Sequence, residues 1–337
     1  MENLKIGING FGRIGRLAAR IILKRKNLDL VAVNSRADSS SHAYLLQYDS
    51  TYGQLDLPVK SNSQYIYVGL KKIAVLKFEQ PALIPWQNHQ VDIVIDASGK
   101  FRTAIDLKGH LSGSQFVILS APAKDKTKTF VLGVNHHLFN PRKDKIISNS
   151  SCTTNCLSTT LKVLHDNFGV TKAFMTTVHA VTDSQNLLDN SHKQIRLRRS
   201  VLPSIIPAST GSAKDIIKLF PHLNGKIFCQ AIRVPVATVS LINLVAEVKI
   251  KVNKDEVNNA FKTASKKNLA GILSVTSDEL VSIDFKGSPY SSIVDLNLTE
   301  VADDKLLNVY AWYDNEWGYT ERLVDLCQYI GKKSKII

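Results

Sequence analysis

The chain has 337 residues, 44% hydrophobic and 21% charged, which is length enough for two ordinary domains with buried cores. No apolar run approaches the ~20 residues that cross a bilayer, and the N-terminus MENLKIGING enters a strand pattern without signal-peptide organisation, so a cytoplasmic protein is predicted. The formal charge of +14 draws anions, so phosphorylated substrates, a phosphorylated cofactor and nucleic acid all qualify. The basic residues are mostly scattered singly and form no dedicated nucleic-acid motif.

Residues 4–9 (LKIGIN) predict a short buried strand, followed by GFGRIG, a helix from Ile14 to about Lys24, and a second strand at Leu28–Val33. Further short apolar runs at Val91–Ile95, Phe116–Leu119, Phe130–Leu132 and Ile146–Ile147 predict a mostly parallel sheet. After residue 150 the pattern changes. Cys152–Phe168 reads as a helix with Ser and Thr at its start. Long alternating runs at Ala173–Val181, Ile227–Val234 and Val239–Val252 predict an antiparallel sheet. Lys254–Lys267 and Glu321–Gly331 read as helices. The stretch Thr182–Pro207 has weak periodicity, and so long a loop in a folded domain is usually functional.

Gly10, Gly12 and Gly15 form G-x-G-x-x-G between a predicted strand and a predicted helix. Glycines there permit a tight turn and close approach of backbone to a pyrophosphate at the helix N-terminus. Alone the motif also fits a ligand-free glycine turn; this context favours dinucleotide binding. Where the second strand normally ends in Asp or Glu, the chain reads Asn34-Ser35-Arg36. A carboxylate there would repel a 2′-phosphate, whereas Arg36 and the Ser35 hydroxyl can bind one, so NADP is expected to be accepted or preferred.

The four cysteines form no C-x-x-C pair and no metal-binding spacing, so no metal is expected. Cys152 opens a helix, where free N–H groups and the positive dipole end favour a thiolate. Cys156 lies a turn further in, and Cys229 and Cys327 lie in apolar stretches; all three read as packed thiols. The base that a nucleophilic cysteine needs is best placed at His179, after a strand, although a lone histidine at such a position is more often structural.

INGFGRIGR (8–16), SAPAKD (120–125), SNSSCTTNC (148–156), HAVT (179–182), IPASTG (206–211), RVP (233–235) and YDNEWGY (313–319) occur in this order. In these residues the chain closely resembles the phosphorylating glyceraldehyde-3-phosphate dehydrogenases, over essentially its whole length. The resemblance implies an α/β protein. A Rossmann-type dinucleotide-binding domain would span 1–151, joined by the C-terminal helix 318–337. An α+β catalytic domain with a largely antiparallel sheet would span 152–317, and the assembly would be a homotetramer. It implies that Cys152 attacks the aldehyde of glyceraldehyde 3-phosphate and that a thioester forms by hydride transfer to NAD or NADP. Inorganic phosphate then releases 1,3-bisphosphoglycerate, with His179 as ion-pair partner and base. The Cys152 N–H would stabilise the developing oxyanion.

The resemblance also implies that Thr182 and Arg233 hold the substrate phosphate. Ser151, Thr153, Thr210 and Gly211 surround the attacking phosphate, with Arg196 or Arg199 nearby. Arg13 and Ile14 line the pyrophosphate, and Asn315 fixes the nicotinamide carboxamide; Ser98 and Ser120 belong to the same cofactor set. Many NAD-using members carry Asp at the position of Ser35 and Pro at that of Ser191; NADP-using members resemble this chain at both. Ser98-Gly99 replaces the commoner Thr-Gly and keeps a hydroxyl. A gluconeogenic or biosynthetic direction, as an alternative to glycolysis, would suit NADP. One rival is erythrose-4-phosphate dehydrogenase, which HAVT and STG match less well. A second is a nucleic-acid-binding protein of this fold, against which the complete catalytic set argues.

Overall fold

Strand β1 (Leu4–Asn9) lies inside an eight-stranded sheet whose members follow it along the first half of the chain. The structure, a computed structural model, describes residues 3–337. The sheet also contains β2 (Leu28–Asn34), β5 (Val59–Ser61), β6 (Tyr65–Val68), β7 (Lys71–Leu76), β8 (Ile93–Asp96), β9 (Phe116–Leu119) and β10 (Ile146–Ser148), while β3 (Tyr48–Asp49) and β4 (Gly53–Gln54) pair separately. The order is β10-β9-β8-β1-β2-β7-β6-β5, with every pair from β10 to β7 parallel and the β7-β6-β5 edge antiparallel. The central strands IVID and FVIL are buried at every position, as helix-covered parallel strands require. The strand order reverses beside β1, where open α/β sheets bind ligands at the carboxyl ends of their strands.

Helix α1 (Arg13–Lys24) starts directly after the glycine loop and buries Leu17, Ala18, Ile21 and Ile22. Helix α2 (Ser39–Gln47) is capped by Asp38, whose carboxylate accepts from the Ser41 N–H; the short α3 (Ala104–Leu107) has a Thr103/Asp106 capping box. This first unit runs up to Phe130 and takes in His136–Ser150 and Thr320–Ile337. Within it Arg25 bridges Glu321 and Asp325 at 2.6 and 3.0 Å, and Asn27 accepts from Gln328, tying the C-terminal segment to the end of α1.

The second unit comprises Val131–Asn135 and Ser151–Tyr319. Its sheet has the order β12-β13-β11-β14-β17-β16-β15, from β11 (Val170–His179), β12 (Ile206–Ser209), β13 (Ile227–Arg233), β14 (Ser240–Val248), β15 (Leu273–Thr276), β16 (Ser292–Ala302) and β17 (Leu306–Tyr313). Four of its six pairings are antiparallel. Strand β14 alternates buried and half-buried along its whole length, as a sheet with one covered face does. The covering helices are α4 (Cys152–Phe168), α5 (Ser212–Leu219) and α6 (Lys254–Lys266). Helix α4 buries Cys156, Leu157, Leu161 and Leu164 in a core shared with Met175, Leu244, Val309 and Ala311. Each such leucine contributes roughly 1.5–3 kcal/mol. The buried Thr159 and Thr160 hydroxyls donate to carbonyls four residues back, so the polar side chains of this helix cost little. Helix α4 ends at Gly169, whose φ of +71° closes it in the left-handed region. The last helix, α7, is Trp317–Lys333. Among the described residues no helix is long and apolar enough to cross a membrane.

Three sequence expectations need correction. Phe130–Leu132 forms no strand; only an isolated bridge, Thr129 to Ser148, extends the sheet there, and Gly133 (φ +80°) turns the chain away. The run at Val239–Val252 ends as a strand at Val248. Helix α7 is longer than Glu321–Gly331 and begins at Trp317. The antiparallel edge β5–β7 and the strands β16 and β17 were not anticipated, although YIYV in β6, IAVL in β7 and VYAWY in β17 are apolar runs.

Candidate active site

The nucleotide loop is built mostly from backbone. Gly10 has φ +93°, and a Cβ there would lie 2.5 Å from the Ser98 backbone; at Gly15 one would lie 2.1 Å from the Gly10 carbonyl oxygen. These two glycines let the loop fold on itself. Gly12 differs: a Cβ there meets nothing within 4 Å, so its smallness serves space outside the protein. The N-terminus of α1 has no side-chain cap and no acidic residue in its first turn, and its positive dipole end favours an anion. The residues present therefore fit a dinucleotide pyrophosphate.

Beneath the loop runs a buried polar chain that pins the ends of β1, β2 and β8. Asn34 donates to Asn9 (2.8 Å), Asn9 to Asp96 (2.7 Å), and the Ser98 N–H and hydroxyl to the other Asp96 oxygen. The Trp86 indole donates to His110 Nδ1 at 2.9 Å, so the His110 proton sits on Nε2 and faces Asp96 at 3.1 Å. Asn9, Asp96 and His110 were not anticipated, because isolated polar residues carry no periodic signal.

The other expected cofactor residues are dispersed. Arg13 turns its guanidinium onto Asp49 at 2.6 Å, beside Ile14. Ser35 is half-buried with its N–H on the Leu76 carbonyl; Arg36 is exposed. Ser120 donates its N–H to the Asp96 carbonyl. Ser191, in the second unit, is exposed.

The thiol site lies in the second unit and is built from side chains. Ser151 caps α4 by accepting from the Thr154 N–H at 3.1 Å, which places Cys152 in the first turn. Ser150, buried, holds φ +57°, a strain on the order of 1–3 kcal/mol next to the cap. His179 is the last residue of β11, and its Nε2 lies 3.6 Å from Cys152 Sγ. Tyr313, at the end of β17, bonds the hydroxyls of both Thr153 (2.9 Å) and Thr177 (2.8 Å), locking α4 to β11. Ser240 accepts from the Ala180 N–H and donates to Asn315 Oδ1 at 2.9 Å, leaving the Asn315 amide nitrogen for a ligand. Val239, just before Ser240, has φ +69°, an outlier for a β-branched residue. Tyr313 and Ser240 were missed; the only sequence signal was that Tyr313 opens YDNEWGY.

Arg233, at the end of β13, reaches His179 Nδ1 at 2.6 Å and the Ala180 carbonyl at 3.1 Å. Thr182 shares a hydrogen bond with Ser184. Thr210 and Gly211 precede α5, which lacks a side-chain cap at Gly211. Of the two alternative arginines, Arg196 lines a groove with Pro207, Ser209 and Gln230, along the strand leading to Thr210. Arg199 instead turns to Asp189 at 3.1 Å on the surface.

At Cys152, burial and the surrounding donors act in opposite directions. Burial pushes its thiol above the ordinary value, outweighing the opposing pull of the Thr153 hydroxyl and Arg233. Burial, with Arg233 beside it, pushes His179 down to about 3, against the pull of the Ala180 carbonyl. Burial raises the other thiols too, Cys229 to about 12 and Cys156 and Cys327 higher still, as packed thiols should be.

A half-buried thiol within reach of an imidazole, on a chain that also builds a dinucleotide loop, defines a class: NAD(P)-dependent oxidoreductases that act on aldehydes through a cysteine. Comparison with known proteins narrows the class. Residues 4–104 match the glyceraldehyde 3-phosphate dehydrogenase NAD binding domain, and residues 151–315 match the C-terminal domain of the same enzyme. The chain is 45% identical to the glyceraldehyde-3-phosphate dehydrogenase of Geobacillus stearothermophilus over 331 residues, 98% of this chain and 99% of the relative. It is 42% identical to glyceraldehyde-3-phosphate dehydrogenase 2 of Bacillus subtilis (strain 168) over 333 residues, 98% of each chain. With the Chlamydia pneumoniae enzyme it shares 44% over 335 residues, 98% of this chain and 100% of the relative. The chain belongs to the glyceraldehyde-3-phosphate dehydrogenase family. Its first unit carries the Rossmann-type NAD-binding domain of that family, and its cofactor is NAD or NADP.

Proposed function

We propose that the protein oxidises glyceraldehyde 3-phosphate to 1,3-bisphosphoglycerate, or runs the reverse, through a thioester on Cys152, and accepts or prefers NADP. The observation that carries the reading is Cys152 Sγ in the first turn of α4, 3.6 Å from His179 Nε2. Cys152 adds to the aldehyde to give a thiohemiacetal, and His179 takes the hydroxyl proton as the carbon is oxidised to a thioester. Bound NAD or NADP supplies the hydride acceptor. Inorganic phosphate then displaces the thiolate. The Cys152 N–H, at the open end of α4, stabilises the oxyanion of each tetrahedral species.

Thr182 and Arg233 bind the substrate phosphate; Ser151, Thr153, Thr210 and Gly211, with Arg196, surround the attacking phosphate. Gly10, Gly12, Arg13, Ile14 and Gly15 receive the pyrophosphate, and Ser98 and Ser120 border the cofactor. Asn315 donates to the nicotinamide carboxamide. Ser35 and Arg36 supply a hydroxyl and a charge for a 2′-phosphate, and Ser191 matches the NADP-using members. The functional division is 1–151 with 318–337 for the cofactor and 152–317 for catalysis. The proposed assembly is a cytoplasmic homotetramer; on the outward face of the catalytic sheet Phe174 and Phe228 stack at 5.3 Å while more than half exposed, an apolar surface available for association.

The test follows reduced-cofactor formation with glyceraldehyde 3-phosphate, with and without inorganic phosphate, using NAD and NADP in parallel, in the wild type and Ser35→Asp. Turnover should depend on phosphate. Ser35→Asp should lower the NADP to NAD ratio of kcat/KM by at least about tenfold, the effect of ~1.4 kcal/mol of repulsion. Phosphate-independent turnover, or faster turnover of erythrose 4-phosphate, would reassign the substrate.

A further inference from the structure

Two side chains at the entry to β14 hold the segment that follows β17. Thr238 donates to Asp314 Oδ1 at 3.2 Å and Ser240 donates to Asn315 Oδ1 at 2.9 Å, while Ser240 pairs with Tyr313 in the sheet. Val239, between them, is buried and held at φ +69°, which a β-branched residue adopts only where its surroundings impose it. Strain of this kind gathers at sites that need one fixed geometry. The Asp314 carboxylate also receives the N–H groups of Gly287, Glu316 and Trp317, which anchor a loop and the start of α7. Asn315 has no such structural duty. Among the described residues its side chain is bonded only to Ser240.

Ser240 has a single hydroxyl proton. The Ala180 N–H occupies a lone pair on its oxygen at 3.1 Å, and the proton goes to Asn315. With the Asn315 amide turned round, its NH2 would face the hydroxyl. The Ser240 proton would then be buried with no acceptor, since among the described residues it has no other and Ser240 is 2% exposed. The hydrogen bonds therefore run one way, from the Ala180 N–H through Ser240 to the Asn315 oxygen, and the Asn315 NH2 is left to donate outward. Ala180 follows His179 directly, so the same hydroxyl ties the segment that carries the base to Asn315.

We propose that Ser240 is a positioning residue that fixes Asn315 as a donor, so that the site selects nicotinamides whose ring substituent presents a strong hydrogen-bond acceptor. A site built to donate rejects a group that cannot accept, because its own donor is then left unpaired. The strained Val239 holds Ser240 where it can do this. The proposal rests on the reading of Asn315 as the ligand of the nicotinamide carboxamide.

The test is the binding of two oxidised dinucleotide analogues to the full chain, with Kd read by isothermal titration calorimetry. The acetylpyridine analogue keeps the carbonyl oxygen and carries no N–H on its substituent. The thionicotinamide analogue keeps the NH2 and replaces the oxygen by sulfur, a weak acceptor. The wild type should bind the acetylpyridine form more tightly. Ser240→Ala frees Asn315 to turn its oxygen outward, and the preference should fall about tenfold, the effect of one misdirected hydrogen bond. Ser240→Cys keeps the bulk of the side chain but offers only a weak donor, and should shift the preference in the same direction; it decides the matter if Ser240→Ala does not fold. A merely structural role would weaken both analogues equally and leave their ratio unchanged, which overturns the proposal, as does a wild type without the preference. Asn315→Ala separates the two readings. If it abolishes the preference while both Ser240 variants keep it, the role of Ser240 falls and that of Asn315 stands. If Asn315→Ala leaves both affinities unchanged, the reading of Asn315 falls and takes the proposal with it.

Discussion

The nucleotide loop is made largely of backbone from one short stretch of chain, whereas the thiol site is made of side chains delivered by five elements: α4, β11, β13, β14 and β17. The first needs only that a strand, three glycines and a helix follow one another. The second needs a strained Ser150, a strained Val239 and a tyrosine spanning two elements before Cys152 and His179 meet. A backbone site is sensitive to added bulk, a side-chain site to lost functional groups, and variants can separate the two.

The largest effects should come from the thiol site and leave the other unit untouched. Cys152→Ser should lower kcat by at least about 10⁴-fold, and His179→Asn by about 10²–10⁴-fold. Cofactor affinity, read by fluorescence titration, should change by less than about twofold in both, well under the ~1.4 kcal/mol of a tenfold change. A matching loss of affinity would break the comparison.

Two glycine variants sharpen it from the other side. Gly10→Ala puts a Cβ 2.5 Å from the Ser98 backbone at φ +93°, and should cost about 2–4 kcal/mol in urea unfolding. Gly12→Ala meets no protein atom, so stability should stay within ~0.5 kcal/mol. Its methyl group enters space left for the cofactor, and Kd for NAD or NADP should rise at least about tenfold, or ~1.4 kcal/mol. Full affinity in Gly12→Ala would mean that the open side of the loop is not where the pyrophosphate binds.

The smallest effect concerns a buried histidine that neither site uses. His42, in α2, packs edge-on against Phe11 at 5.2 Å, and neither of its ring nitrogens has a hydrogen-bond partner. Burial lowers its pKa; Arg16 and Lys77 act in the same direction and Asp38 opposes them. The unfolded chain therefore binds a proton at His42 below about pH 6.5 that the folded chain refuses, and stability falls as pH drops through that value. His42→Leu should gain about 1–3 kcal/mol at pH 7.5 and more at pH 5.5, measured by urea midpoints at both values. A smaller gain at the lower pH would contradict the sign.

The elements that sequence made legible are those whose cause is local. The loop, α1, the Ser151 cap and the buried strands IVID and FVIL each follow from neighbours within about ten residues: glycine spacing, a capping hydroxyl, a run of branched side chains. Fold class and family were legible for the same reason, since contiguous motifs carried them. Tertiary structure alone decided which groups meet. It turned Arg199 to Asp189 and Arg196 along β12, set Arg233 against the nitrogen of His179 that faces away from the thiol, and spanned α4 and β11 with Tyr313. It also set burial of the Cys152 sulfur against the field of the helix N-terminus. A helix N-terminus favours a thiolate through a field readable from position in the chain, but desolvation depends on everything packed around the sulfur, and here burial outweighs it.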